Sequence, residues 1–135
     1  MKTLSLILIS LFLTGCSDPA SPTEQLLVSL TFVEATEFEA KLLLKNNTTE
    51  SLIYFGYSKS SPLKTVEVLS DTGWTVVLWD WCGTGAEQQE VQPNESVIIF
   101  SPVITKNVKT RMAFSYRPKS NQEFTKLTSD VYIVK

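Results

Sequence analysis

From residue 26 to its carboxyl end the chain is a succession of short runs rich in β-branched and aromatic residues. These runs fall at residues 26–33, 38–45, 52–57, 66–69, 74–79, 96–100, 111–116 and 130–134. Several alternate with period two: Val28, Leu30 and Phe32 share one face, and so do Phe38, Ala40, Leu42 and Leu44. Turn formers separate them, among them Asn46-Asn47-Thr48-Thr49, Asp71-Thr72-Gly73 and Gln92-Pro93-Asn94-Glu95. A loop is expected over residues 80–89. No stretch carries the 3.6-residue period of an amphipathic helix. About seven or eight strands at roughly even spacing predict an all-β fold, an antiparallel β-sandwich.

Composition removes several function classes. The 135 residues include no histidine and two cysteines. Without histidine there is no Ser-His-Asp or Cys-His nucleophile and no His-ligated metal or haem. Two cysteines cannot supply a four-thiolate zinc site. A formal charge of −2 argues against a nucleic-acid partner, because phosphate binding needs a basic face. The carboxylates are scattered, and Glu37 and Glu39 read as a solvated strand edge. The expectation is a non-enzymatic protein with no cofactor and no metal.

The amino-terminal residues carry an address. Lys2 precedes a mostly apolar run at residues 4–13, the layout of a secretory signal. The run is shorter than the ~20 apolar residues of a membrane-spanning helix. Leu13-Thr14-Gly15-Cys16 then resembles the lipobox of bacterial lipoproteins. That resemblance implies cleavage after residue 15, a diacylglycerol on the Cys16 thiol and further acylation such as palmitate. Ser17 directly after the cysteine points to the outer membrane, facing the periplasm, where the host has one. Loss of residues 1–15 would leave 120 residues with 11 basic and 14 acidic side chains, a charge of −3. Residues 16–25 read as a polar, proline-containing tether. Within it, the eight residues from Ser17 to Glu24 reach at most ~28 Å. The expected partners are the membrane, through the lipid, and an envelope protein or glycan.

Residues 26–135 form the expected domain. The Asn-rich end of the second run, the Asp71-Thr72-Gly73 turn, the 91–96 turn and Arg111 to Tyr116 together resemble small immunoglobulin-like domains of bacterial secreted proteins. Asn94 stands where such turns commonly carry glycine, a replacement asparagine allows because it too accepts a positive φ. A second resemblance is to chagasin-type cysteine-protease inhibitors. Asn46, Thr48 and Thr49 match their first loop and Arg117 and Pro118 another. Asn47, Glu50 and Lys119 depart from the pattern, and only residues 83–86 offer the glycine-rich middle loop. That resemblance implies inhibition by loops gathered at one end of the sandwich.

The densest unusual stretch is Trp79-Asp80-Trp81-Cys82. Trp79, Asp80 and Trp81 are the candidate binding residues, because tryptophan offers large contact area at low entropic cost. The competing reading has Trp74 and one of Trp79 or Trp81 filling the core. An unbroken strand would put Trp79 and Trp81 on the face opposite Trp74. Cys82 is a free thiol with no histidine to activate it, and it is either buried or open to intermolecular pairing.

Overall fold

A computed structural model of the chain describes residues 27–80 and 84–135. The signal segment, Cys16, the tether, Trp81 and Cys82 lie outside the described residues. The rest is an all-β, antiparallel sandwich of eleven strands, more than the seven or eight expected. The strands are β1 (Val28–Ala35), β2 (Glu39–Asn46), β3 (Leu52–Ser58), β4 (Ser61–Pro62), β5 (Lys64–Ser70), β6 (Gly73–Trp79), β7 (Glu87–Val91), β8 (Ser96–Pro102), β9 (Lys109–Pro118), β10 (Thr125–Thr128) and β11 (Tyr132–Ile133).

Three of these were not legible as strands. β4 and β10 are short, and β7 occupies part of the expected 80–89 loop. Its sequence, Glu-Gln-Gln-Glu-Val, has almost no apolar content. It is a strand because its backbone pairs with β3 from Leu52↔Val91 to Gly56↔Glu87. Tertiary pairing overrides weak propensity there.

One sheet is narrow, with order β1-β2-β8. The other is wide, with path β4-β3-β9-β5-β6, and β7 beside β3 and β10 and β11 beside β9. Alternation works as expected through most of the core. Leu30, Ala40, Leu42, Leu44 and Ile99 from the narrow sheet meet Leu52, Tyr54, Val91, Met112 and Phe114 from the wide one, all buried. Phe32 stacks on Tyr132 at 4.7 Å between ring centroids, and Tyr54 meets Phe114 edge-on at 5.3 Å.

Phe38 is a correction. The expected alternation puts it inward, yet it is 77 % exposed. The Thr36 hydroxyl accepts hydrogen bonds from the Phe38 and Glu39 amides, so the chain is still turning at Phe38 and β2 starts one residue later. Glu37 lies in that turn and pairs with Lys106 at 2.8 Å, so it forms no strand pair with Glu39.

Asn46 ties the loops at one end together. It is fully buried, and its side-chain amide donates to the carbonyls of Glu50, Val91 and Gln92. Its side-chain oxygen accepts from the Thr48 amide and hydroxyl. Asn94 has the expected positive φ, 61°. The Asn94 amide donates to the Asn46 carbonyl, which locks the 92–95 turn against the same loop.

The wide sheet splits near its middle. β3 and β9 pair only at Leu52↔Pro118 and Ile53↔Arg117. Beyond that point β4 takes the edge of β3, and β5 takes the edge of β9 from Lys64↔Phe114 to Val68↔Thr110. The β3–β4 hairpin closes so tightly that a Cβ on Gly56 would lie 2.5 Å from the Ser61 carbonyl oxygen. Only glycine fits there.

Candidate functional site

The outer face of the wide sheet, opposite the core, carries the candidate site. Residue size shapes it. On β5 and β9 the outward positions beside the split are Thr65, Ala113 and Ser115, all small. The flanking segments present large side chains: Val76 and Trp79 from β6, Phe55 from β3, and Phe124 just before β10. A floor of small residues between walls of large ones makes an open trough of about 600 Å³.

The two described tryptophans of the 74–79 run share this face, which corrects the expectation that they oppose each other. The β5–β6 register shifts between Val66 and Glu67. Val66 pairs with Leu78 but Glu67 pairs with Val76, so Val77 is an extra residue. Such a bulge inverts the alternation beyond it. Trp74 therefore pairs with Leu69, Val76 with Glu67 and Trp79 with Thr65, all outward. Neither tryptophan fills the core. Trp74 is half-buried, and Trp79 is 64 % exposed on the trough wall.

Charge is concentrated along one side. The Glu67 side chain is only 7 % exposed and holds two cations, Arg111 at 2.6 Å and Lys126 at 2.8 Å. Burial pushes the Glu67 carboxyl pKa up, but the hydrogen bonds and charges of Lys126 and Arg111 outweigh it. The net position is below the ordinary carboxylate range. The Arg111 guanidinium lies 4.1 Å from the centroid of the Trp74 ring, an attraction that fixes both side chains. Three charges and an aromatic ring thus form one rigid block beside the trough.

Asp80, expected as a binding residue, reaches the trough wall, but its carboxylate has a structural partner. The buried Lys64 ammonium lies 3.1 Å from it. The Asp80 amide also donates to the Lys64 carbonyl at 2.9 Å. A buried ammonium needs such a counter-charge. Asp80 therefore holds the end of β6 and, with it, the position of Trp79. Trp81 and Cys82 follow immediately and lie outside the described residues.

Sequence reading missed the far wall. Phe55 and Phe124 are 46 % and 45 % exposed, with ring centroids 6.0 Å apart. The Arg117 guanidinium lies 5.7 Å from the Phe124 centroid. A lone aromatic inside the polar 119–125 segment was the available signal for Phe124, since large exposed aromatics in loops commonly serve contact.

The inhibitor-like loops are only partly gathered. Lys119 donates its amide to the Ser51 carbonyl at 2.9 Å, and the Ser120 hydroxyl donates to Glu50 at 2.5 Å. The 46–50 loop and the 117–120 turn are therefore neighbours. Residues 84–86 lead into Glu87, which pairs with Gly56 at the opposite end of β3. The three segments do not meet at one end. Asn46 and Arg117 are also engaged internally, Arg117 donating to the carbonyls of Pro118, Lys119 and Asn121.

Among the described residues no three Cys, Asp or Glu side chains gather to hold a metal ion, and no helix is long and apolar enough to cross a membrane. Comparison with protein-family models gives no match, and comparison with curated proteins gives none either.

Proposed function

We propose that this chain is an exported lipoprotein, anchored through lipid on Cys16, whose sandwich binds a component of the cell envelope in the outer trough. It acts by binding, without catalysis. In a Gram-negative host its place is the outer membrane, on the periplasmic side. The address rests on the charged start, the short apolar run and Leu13-Thr14-Gly15-Cys16 in register. Two or three acyl chains, at ~0.8 kcal/mol per buried CH₂, anchor a protein stably.

The single observation that carries the binding reading is the exposure of Trp79 over a floor of small residues. Trp79 shares the trough lining with Val76, Phe55 and Phe124, all exposed, and grouped exposed apolar side chains of this kind mark interaction sites. The β6 bulge and the Lys64–Asp80 pair hold the ring in that place. Aromatic walls with charged groups along one side suit a partner that packs apolar groups and carries polar ones at its margin, either an envelope protein or a glycan.

Crosslinking the full chain in its native envelope tests this. Wild-type protein is expected to yield a defined adduct that Trp79→Ala loses, with the fold intact by circular dichroism. An adduct of equal yield from Trp79→Ala contradicts the trough as the site. The anchor is tested separately. Labelled palmitate should enter the wild type and not Cys16→Ser, and label in both contradicts lipidation at Cys16.

A further inference from the structure

We propose that the outer trough takes an acidic sugar, the apolar face of its ring packed against the aromatic walls and its carboxylate on the Lys126 ammonium. The inference rests on the trough being the binding site and names the class of ligand held there.

Lys126 is set into the trough by its own strand. β10 pairs with β9, and Lys126 stands opposite Ser115 of the floor. Phe124 lies two residues earlier, so one short segment supplies both a wall ring and a cation. The Lys126 ammonium lies 2.8 Å from the Glu67 carboxylate on β5. β5 and β10 pair with opposite edges of β9 at Ala113, so the Lys126 side chain crosses β9 to reach Glu67. It is nevertheless 55 % exposed.

The charges around the trough leave this cation in surplus. Asp80 is paired with Lys64 at 3.1 Å. Glu67 is also held by Arg111 at 2.6 Å, whose guanidinium lies over Trp74. Two carboxylates against three cations leave one positive charge, and Lys126 is the most exposed of the three. A purely apolar occupant would strip water from that ammonium and return no partner. A carboxylate returns a charge-assisted hydrogen bond.

The floor favours a sugar over a peptide. Thr65 is paired on one side with Trp79 and on the other with Ala113, and Ala113 with Thr65 and Thr128. The centre of the floor therefore presents no open strand edge, which an extended peptide needs in order to add a strand. The trough offers instead the rings of Trp79 and Phe124, the hydroxyls of Thr65 and Ser115, and the Lys126 cation. A pyranose acid has the matching parts: C–H groups on its ring faces, hydroxyls on its rim and one carboxylate. The volume of about 600 Å³ is that of a small-ligand site.

Calorimetric titration of the full chain, purified in detergent, tests this. The probes are trigalacturonate, trimannuronate and the methyl ester of each, which keeps the rings and removes the charge. At least one acid is expected to bind at least tenfold more tightly than its ester. Lys126→Gln is expected to bring that acid down to the level of its ester, and Lys126→Arg to keep most of the preference, with unchanged circular-dichroism melting curves. A merely structural role for Lys126 would weaken acid and ester alike. No binding of either acid, equal affinity for acid and ester, a preference that survives Lys126→Gln, or equal binding of capped triglutamate overturns the proposal. If an acid fails while the envelope adduct still depends on Trp79, the trough stands as the site and the sugar acid alone is rejected.

Discussion

The two faces of β9 are built from alternate residues of one strand and obey different rules. Inward, Met112 and Phe114 are large, buried and packed against Tyr54 and the narrow sheet. Outward, Arg111 belongs to a charged block, while Ala113 and Ser115 leave a hollow. The inner face is set by volume, because an interior is close-packed and any void costs stability. The outer face is set by what its neighbours hold in place: a bulge that turns Trp79 outward and an ion pair that fixes it there. One face makes the fold, and the other is free to carry a site.

Substitutions sharpen this contrast in descending order of effect. Leu42→Ala removes a fully buried side chain from the centre of the narrow sheet. It should cost about 3 kcal/mol, read as a lower denaturation midpoint in urea. On the outer face, Glu67→Ala leaves Arg111 and Lys126 without their shared carboxylate. Both cations keep some contact with water, so the cost should be smaller, about 2 kcal/mol at neutral pH. The folded-state pKa of Glu67 lies below its ordinary value of 4.5, so its contribution is present above that value. It is lost as pH falls through the lower folded-state value. Urea titrations should accordingly show the wild type and Glu67→Ala converging below pH 4.5 and separating above it.

Asn94→Ala should cost about 1 kcal/mol, because alanine resists the left-handed backbone that asparagine accepts. Asn94→Gly should cost less, and the difference in midpoints between the two variants is the measurement. Ser115→Trp fills the trough from its exposed floor. Its stability should stay within about 0.5 kcal/mol of wild type. Partner capture should nevertheless fall as far as in Trp79→Ala. If Ser115→Trp unfolds the domain, the outer face is part of the packing and the contrast between faces fails.

The inner face was largely legible in the sequence. Period-two alternation placed Leu30, Ala40, Leu42 and Leu44 correctly, since a strand has only two sides. Phe38 misled because an alternation pattern does not mark where a turn ends. The Thr36 hydroxyl decides that, by holding two amides out of the ladder. β7 was not legible because its pairing partner, β3, supplies what its own residues lack. Of the candidate trough, one wall was visible as an unusual stretch of sequence. Composition pointed to Trp79 and Asp80, but the role of Asp80 depends on Lys64, sixteen positions earlier in the chain. The bulge at Val77 defeated the facing of the tryptophans. A register slip is a relation between two strands, and nothing in Thr-Val-Val-Leu alone announces it. The far wall, Phe55 and Phe124, is assembled from segments far apart in the chain and exists only in the fold.

Hydroxyl-radical footprinting compares the faces in place. The purified full chain and the chain in its native envelope are oxidised under matched doses, and Trp79, Phe124 and Phe38 are read by mass spectrometry. Phe38 is the internal reference, since it is exposed and does not line the trough. Binding in the trough predicts that oxidation of Trp79 and Phe124 falls severalfold in the envelope while Phe38 is unchanged. Equal oxidation of Trp79 in the two settings would contradict the outer trough as the working surface of this protein.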